Sequence, residues 1–260
     1  MIDAAPDAPP PYRTVVFDCD STLSAIEGID ELAGARRAEI AALTERAMAG
    51  ESKLEDVYGL RLARLRPSRD AIEALGRQYA ARAVPEAREL CAALTALGKR
   101  VVIVSGGIRA AVLALARSFA IDERDVFAVE IFHDAAGAYT GFDERSPLAT
   151  HDGKRALVER LAAESECDPR VPGARGLGVV CVGDGMTDLV GARAARRFVA
   201  YGGVVRRESV FALARSQSAA PTFAALLPLL VDADELATLR TLPDHRRLLA
   251  VFDSLDPRGS

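Results

Sequence analysis

Thr14-Val15-Val16-Phe17-Asp18-Cys19-Asp20-Ser21-Thr22 is the stretch that decides how this chain is read. A short apolar run leads directly into two carboxylates and two hydroxyls. Apolar runs bury, and two carboxylates at the end of one are costly unless a cation neutralises them. Open α/β sheets bind their ligands at the carboxyl ends of their strands. The stretch therefore points to a metal site on the rim of a sheet.

Further strands with the same ending follow. Val101-Val102-Ile103-Val104 is wholly apolar, as in a sheet covered on both faces, and runs into Ser105-Gly106-Gly107. Residues 177–182 are again strand-like and run into Gly183-Asp184-Gly185, with Asp188 close behind. Strands are also expected at 126–129, 131–132 and 197–200, with a glycine turn over Asp134 to Gly137. Helical spacing fills the intervals, and Lys154 opens one of these helices. Strands alternating with helices predict a parallel, Rossmann-like α/β sheet with right-handed crossovers.

Between Ile26 and about Ala83 the pattern is helical only: Ile29, Leu32, Ile40, Leu43, Ala47 and Met48 recur at helix-like spacing, and Ser68 suits an N-cap. The expected organisation is a loose tail over 1–11, an α/β core over 12–24 and 85–232, a small helical cap over 25–84, and a helical C-terminal extension over 233–260 broken at Pro243. The apolar residues of that extension (Leu239, Leu242, Leu248, Leu249 and Phe252) are expected to be packing residues, with a partner subunit as one neighbour, and not a cofactor site.

Parallel strands bring their C-terminal ends to one edge, so the distant polar motifs converge. Asp18 and Asp184 can share one divalent ion, and carboxylates with carbonyls and waters are the ligands Mg²⁺ prefers. Ser105 and the amides of Gly106 and Gly107, expected at a helix N-terminus, suit phosphate oxygens. Lys154 can neutralise a dianion and the charge developing on a nucleophilic carboxylate, and Asp20 can protonate a leaving oxygen and then deprotonate a water. Singly, each motif has an ordinary explanation: a solvated turn, a loop or a surface lysine. Their order, each at a strand or helix end, makes them a site.

Asp18-x-Asp20-x-Thr22, Ser105, Lys154 and Gly183-Asp184-Gly185-x-x-Asp188 resemble the four motifs of the haloacid dehalogenase superfamily. Within it the chain, from residue 13 to about 230, is similar to the phosphoserine phosphatase family. Glu27, Ala47-Met48-x-Gly50, Ser105-Gly106-Gly107 and Gly141-Phe142-Asp143 carry that likeness. The resemblance implies Mg²⁺-dependent hydrolysis of O-phospho-L-serine to serine and phosphate, the last step of serine biosynthesis. It implies Asp18 as nucleophile, forming an aspartyl-phosphate, and Asp20 as general acid and base. Asp18, Asp20 (through its carbonyl) and Asp184 would hold the metal, and Asp188 would support it. Glu27 would meet the substrate ammonium and Arg61 its carboxylate, the latter in the forked geometry that suits arginine. Met48 and Leu54 match apolar positions that exclude water, although many relatives carry Phe where Leu54 stands. Thr187, matched to a phosphate contact, stands where some relatives have Asn.

Composition narrows the alternatives. The 260 residues carry a formal charge of −4 and no basic tract, which disfavours nucleic acid. No apolar run reaches the roughly 20 residues of a membrane span, and the N-terminus lacks a signal-peptide pattern, so a cytoplasmic protein is expected. Cys19, Cys91, Cys167 and Cys181 have no CxxC spacing, and His133, His151 and His245 form no ligand motif. His133 and His151 are expected on the surface. A small-molecule substrate and a monomer or homodimer are the expectation. The rivals are a phosphotransferase passing the phosphoryl group to an alcohol such as homoserine, a phosphatase for another small metabolite, and a non-catalytic phospho-ligand sensor. The sensor is disfavoured because it would not need both carboxylates of the first motif.

Overall fold

A computed structural model describes residues 5–40, 42, 54–150, 152–167 and 178–255 of the protein. Leu43, Ala47, Met48, Gly50, His151 and the side chain of Leu54 lie outside the described residues.

Six parallel strands form the main sheet: β1 (Thr14–Phe17), β2 (Arg100–Ile108), β3 (Val126–Val129), β6 (Val179–Gly183), β7 (Arg197–Tyr201) and β8 (Ser216–Ser218), in the order β3-β2-β1-β6-β7-β8. β1 is central: Thr14 pairs with Arg100 on one side and Val179 on the other, so Asp18 and Gly183 leave the sheet at adjacent points. Alternation along β1 feeds both faces. Val15 and Phe17 enter one buried cluster with Val101 and Ile103, while Val16 enters the other with Val102, Val104 and Cys181. β4 (Ile131–His133) and β5 (Tyr139–Phe142) make a separate antiparallel hairpin, whose turn is held by Gly137 N–H donating to the Asp134 carbonyl.

The insertion after β1 holds α1 (Gly28–Ala33), α2 (Leu54–Leu65) and α3 (Arg69–Ala81). Ser68 caps α3, its Oγ accepting from Ala71 N–H. The two ends of the insertion run side by side, with Ala25 N–H donating to Arg82 O and Val84 N–H to Leu23 O. A small cluster of Ile29, Ala33, Ile40 and Leu65 is its own. α3 differs from the expected lid. Ile72, Leu75 and Tyr79 join the core cluster on one face of the main sheet, and a Cβ on Gly76 would lie 2.7 Å from Ala114 Cβ of the core helix α5 (Arg109–Ser118). α3 is thus seated on the core.

Three more expectations are corrected. Residues 5–11 are not a loose tail: Ala5 N–H donates to Leu213 O, Phe198 N–H to Pro6 O, and Asp7 pairs with Arg197 at 2.9 Å. Ser105-Gly106-Gly107 does not open a helix. β2 runs through it to Ile108, its pairing with β3 shifting register between Val104 and Ile108, and α5 begins at Arg109. His133 is partly buried, its Nε2 3.0 Å from the Pro67 carbonyl.

The C-terminal extension forms α10 (Ala233–Thr241) and α11 (Arg246–Leu255), separated at Pro243, counting α4 (Ala87–Ala96), α6 (Gly153–Cys167), α7 (Met186–Gly191), α8 (Glu208–Phe211) and α9 (Leu227–Leu230) before them. Leu239, Leu248 and Leu249 bury into the chain's own core. Lys99, almost fully buried, pairs with Glu235 of α10 and donates to the Tyr12 carbonyl at 2.8 Å. No helix among the described residues is long and apolar enough to cross a membrane.

Candidate active site

A cavity of about 520 Å³ opens at the C-terminal rim of the sheet, within the size range of small-ligand pockets. The core supplies Asp18, Asp20, Gly106, Gly107, Lys154, Asp184, Thr187 and Asp188 to its wall, and the insertion supplies Glu27, Gly28, Tyr58 and Arg61. Of the residues assigned from the sequence to catalysis, metal or substrate, Asp18, Asp20, Glu27, Arg61, Gly106, Gly107, Lys154, Asp184, Thr187 and Asp188 line this one space, and Ser105 does not. Ser105 lies just behind it, fully buried, with its Oγ accepting from Gly107 N–H at 2.9 Å. That bond leaves the hydroxyl proton of Ser105 to donate elsewhere.

Lys154 is the centre of the charge network. Its Nζ lies 2.8 Å from Asp18 Oδ1 and 2.6 Å from Asp188 Oδ1, all three residues being buried. Burial disfavours the ammonium, but the two carboxylates outweigh it and raise its pKa. The helix bearing Lys154 can start there because Gly153 is bare: a Cβ would fall 1.6 Å from Pro147 O. Asp18 Oδ1 also accepts from Cys19 N–H at 2.7 Å. Burial, then Asp188, pushes the Asp18 pKa well up, with Lys154 opposing.

Glycine shapes the third motif. A Cβ on Gly183 would sit 2.3 Å from Asp188 Cγ, so only glycine lets Asp188 fold back beneath the turn. Asp188 Oδ2 there accepts from Gly185 N–H at 3.0 Å. Asp18, Asp184 and Asp188 each present an oxygen within 4.8 Å of the others. Burial and then Asp188 raise the Asp184 pKa to about 6, against the opposing Arg207. Three buried carboxylates, Asp18, Asp184 and Asp188, with the part-buried Asp20 beside them, are met by Lys154 and Arg207, so the donor set fits a divalent cation bound through oxygen.

Asp20 points away from that cluster. Its Oδ1 accepts from Gly28 N–H at 2.7 Å and from the Tyr79 hydroxyl at 2.5 Å. Burial and then Glu27 raise its pKa to about 6, with those two donors opposing. The turn beyond it places Ser21 at φ +51°, a left-handed conformation that non-glycine residues seldom adopt. Ser21 Oγ donates to Glu27 Oε1 at 2.7 Å, tying that turn to the insertion.

Arg207, in the segment after β7, carries no motif and was missed in the sequence. Its Nε donates to Asp184 Oδ2 at 2.7 Å and its Nη2 to Glu27 Oε1 at 3.1 Å, joining core to insertion. Arg61 pairs with Asp30 at 2.5 Å, yet its Nε is buried without a hydrogen-bond partner among the described residues, as is the Tyr58 hydroxyl beside it. Both atoms belong to residues lining the cavity.

The haloacid dehalogenase-like hydrolase family matches residues 12–196. Mouse phosphoserine phosphatase is 34 % identical over 198 residues, which cover 75 % of this chain and 84 % of the mouse protein. The crystal structure of a probable phosphoserine phosphatase from Vibrio cholerae, unliganded, aligns with a TM-score of 0.68 at 27 % identity, covering 93 % of this chain and 70 % of that one. A substrate-bound phosphoserine phosphatase complex shares the fold, with a TM-score of 0.67 at 23 % identity over 85 % of this chain and 99 % of that one. Matched by the family over residues 12–196 and by the mouse enzyme across most of both chains, this protein belongs to the haloacid dehalogenase-like hydrolases and, within them, to the phosphoserine phosphatase family.

Proposed function

We propose that the protein hydrolyses O-phospho-L-serine to L-serine and inorganic phosphate with Mg²⁺, through a phosphoryl group carried on Asp18. The observation that carries this reading is one cavity with two chemically opposite walls. One wall holds Asp18, Asp20, Lys154 and the Gly106-Gly107 segment, suited to a phosphoryl group. The other holds Glu27 and Arg61, an acid and a base whose charges suit an amino acid's ammonium and carboxylate. The buried Arg61 Nε with no partner supports the carboxylate role, since a buried donor left unpaired is costly.

Asp18 and Asp184, with the Asp20 carbonyl, would hold Mg²⁺, and Asp188 would support them by fixing Lys154. The cation, when bound, supplies neutralisation of the phosphoryl oxygens. The Asp18 carboxylate attacks phosphorus, forming the Asp18–phosphorus bond as the bond to the serine oxygen breaks. Asp20 gives its proton to that leaving oxygen. Water then attacks the same phosphorus, Asp20 takes the water's proton, and Asp18 is released as carboxylate with inorganic phosphate. Lys154 steadies charge on Asp18 throughout. Ser105 and the Gly106-Gly107 segment orient the phosphoryl group, the Gly107 amide by holding the Ser105 hydroxyl, with Thr187 lining the cavity as a further contact. Serine biosynthesis is the process such a reaction would serve.

Phosphate release from a panel of phosphorylated metabolites, with and without EDTA, tests the reading. O-phosphoserine is expected to lead the panel, Asp18→Asn to abolish release, and Arg61→Ala to raise KM for phosphoserine at least about tenfold, as loss of a charged hydrogen bond implies. Release by Asp18→Asn at near wild-type rate, or an Arg61→Ala enzyme with unchanged KM, overturns it.

A further inference from the structure

Among the described residues, Asp20 is held from one side. Gly28 N–H and the Tyr79 hydroxyl both donate to Oδ1, while Oδ2 faces the glycine loop: a Cβ on Gly107 would lie 3.0 Å from Asp20 Oδ2. A carboxyl oxygen that already accepts two hydrogen bonds has no lone pair to spare for a proton. We propose that Tyr79 is a positioning residue for Asp20, occupying Oδ1 so that the transferable proton resides on Oδ2, the oxygen turned toward the cavity. The inference rests on Asp20 being the proton carrier of the reaction proposed above.

The surroundings of Tyr79 fix its hydroxyl in place. The side chain is fully buried in the last turns of α3, and its own carbonyl accepts from Ser24 Oγ at 3.0 Å. Gly28 is bare where a Cβ would meet the Tyr79 hydroxyl oxygen at 2.1 Å, so the chain gives up a side chain to admit the phenol. The tight approach of Gly76 to Ala114 seats α3 on the core. The hydroxyl therefore reaches Asp20 from a rigid element. A phenol serving only to fill space would not need its oxygen on a catalytic carboxylate.

Tyr79→Phe deletes the oxygen and keeps the ring. Proton donation matters most when the leaving oxygen is basic, so kcat/KM is to be compared across O-phosphoserine, phenyl phosphate and p-nitrophenyl phosphate. General acid catalysis contributes about 10²–10⁴-fold, and loss of orientation forfeits on the order of tenfold of it. Tyr79→Phe is expected to lower kcat/KM about tenfold for phosphoserine and phenyl phosphate, and less than about twofold for p-nitrophenyl phosphate, whose leaving oxygen needs no proton. Gly28→Ala, which drives the phenol off Asp20, is expected to show the same selectivity. Equal losses on all three substrates, or none, overturn the inference. Asp20→Asn runs beside them. If it shows no leaving-group dependence, the role given to Asp20 fails. If it does and both other variants do not, only the role given to Tyr79 fails.

Discussion

Replacing Lys154 by Met keeps most of the stem and removes the cation that, among the described residues, touches both Asp18 and Asp188. The ammonium lies within 2.8 Å of each carboxylate, and none of the three side chains is more than 10 % exposed. Removing one partner of a buried ion pair costs about 3–5 kcal/mol, because the remaining charge is left in a poorly solvating environment. Asp18 can relieve part of that by protonation, since burial and Asp188 already push its pKa upward, so the lower end of the range is expected. For a chain of this size 1 kcal/mol is worth about 2–4 °C, giving a fall in Tm on the order of 10 °C in EDTA near neutral pH. Saturating Mg²⁺ is expected to shrink the fall, because the cation takes over part of the neutralisation. Asp18→Asn in the same background closes a double-mutant cycle with an expected coupling of about 1–3 kcal/mol. Calorimetric melting of the four proteins is the assay. A Lys154→Met protein melting within about 2 °C of wild type in EDTA, or a coupling under about 0.5 kcal/mol, refutes the charge balance drawn for the site.

Two further outcomes are expected. Asp20 and Asp184 have pKa values raised to about 6 from an ordinary value near 3.8, so the metal-free folded state binds their protons more tightly than the unfolded chain does. Their contribution to stability is complete below about pH 4 and is lost as pH rises through 6. Melting in EDTA should therefore fall between pH 4.5 and 7, and the increment from Mg²⁺ should grow from pH 5 to 7.5; an increment independent of pH counts against a metal held by these carboxylates. Glu235→Ala leaves the Lys99 ammonium buried with, among the described residues, the Tyr12 carbonyl alone, and urea unfolding should show a loss of about 2 kcal/mol, partly restored by Glu235→Gln.

The chemistry was written locally and the sequence could be read there. Asp18, Asp20, Lys154, Asp184 and Asp188 sit beside glycines or at strand and helix ends, where turn geometry and the apolar run before them reveal both the strand and its rim. β1, β6 and β7 were legible for the same reason. β8 was not, because Ser216-Gln217-Ser218 is a short polar edge strand with no hydrophobic signature. Arg207 and Tyr79 were missed because each reaches the site from a segment without a motif, and only the folded chain brings them within 2.7 and 2.5 Å of their carboxylates. The seating of α3 on the core was also hidden: its spacing announced an amphipathic helix, and spacing alone does not say which neighbour covers the apolar face.

The pairing of Lys99 with Glu235 ties the order of synthesis to the order of folding. As the chain emerges from the ribosome, β1, β2, β6 and β7 are all available before the acid that answers Lys99 has been made. A sheet assembled at that stage would close over an ammonium that has the Tyr12 carbonyl but lacks the Glu235 counter-charge. The last helices therefore do more than cover an apolar face, for they complete an electrical neutrality that the earlier 230 or so residues leave open. A nascent chain halted short of α10 should stay accessible to protease across β2, even with every strand of the sheet already translated.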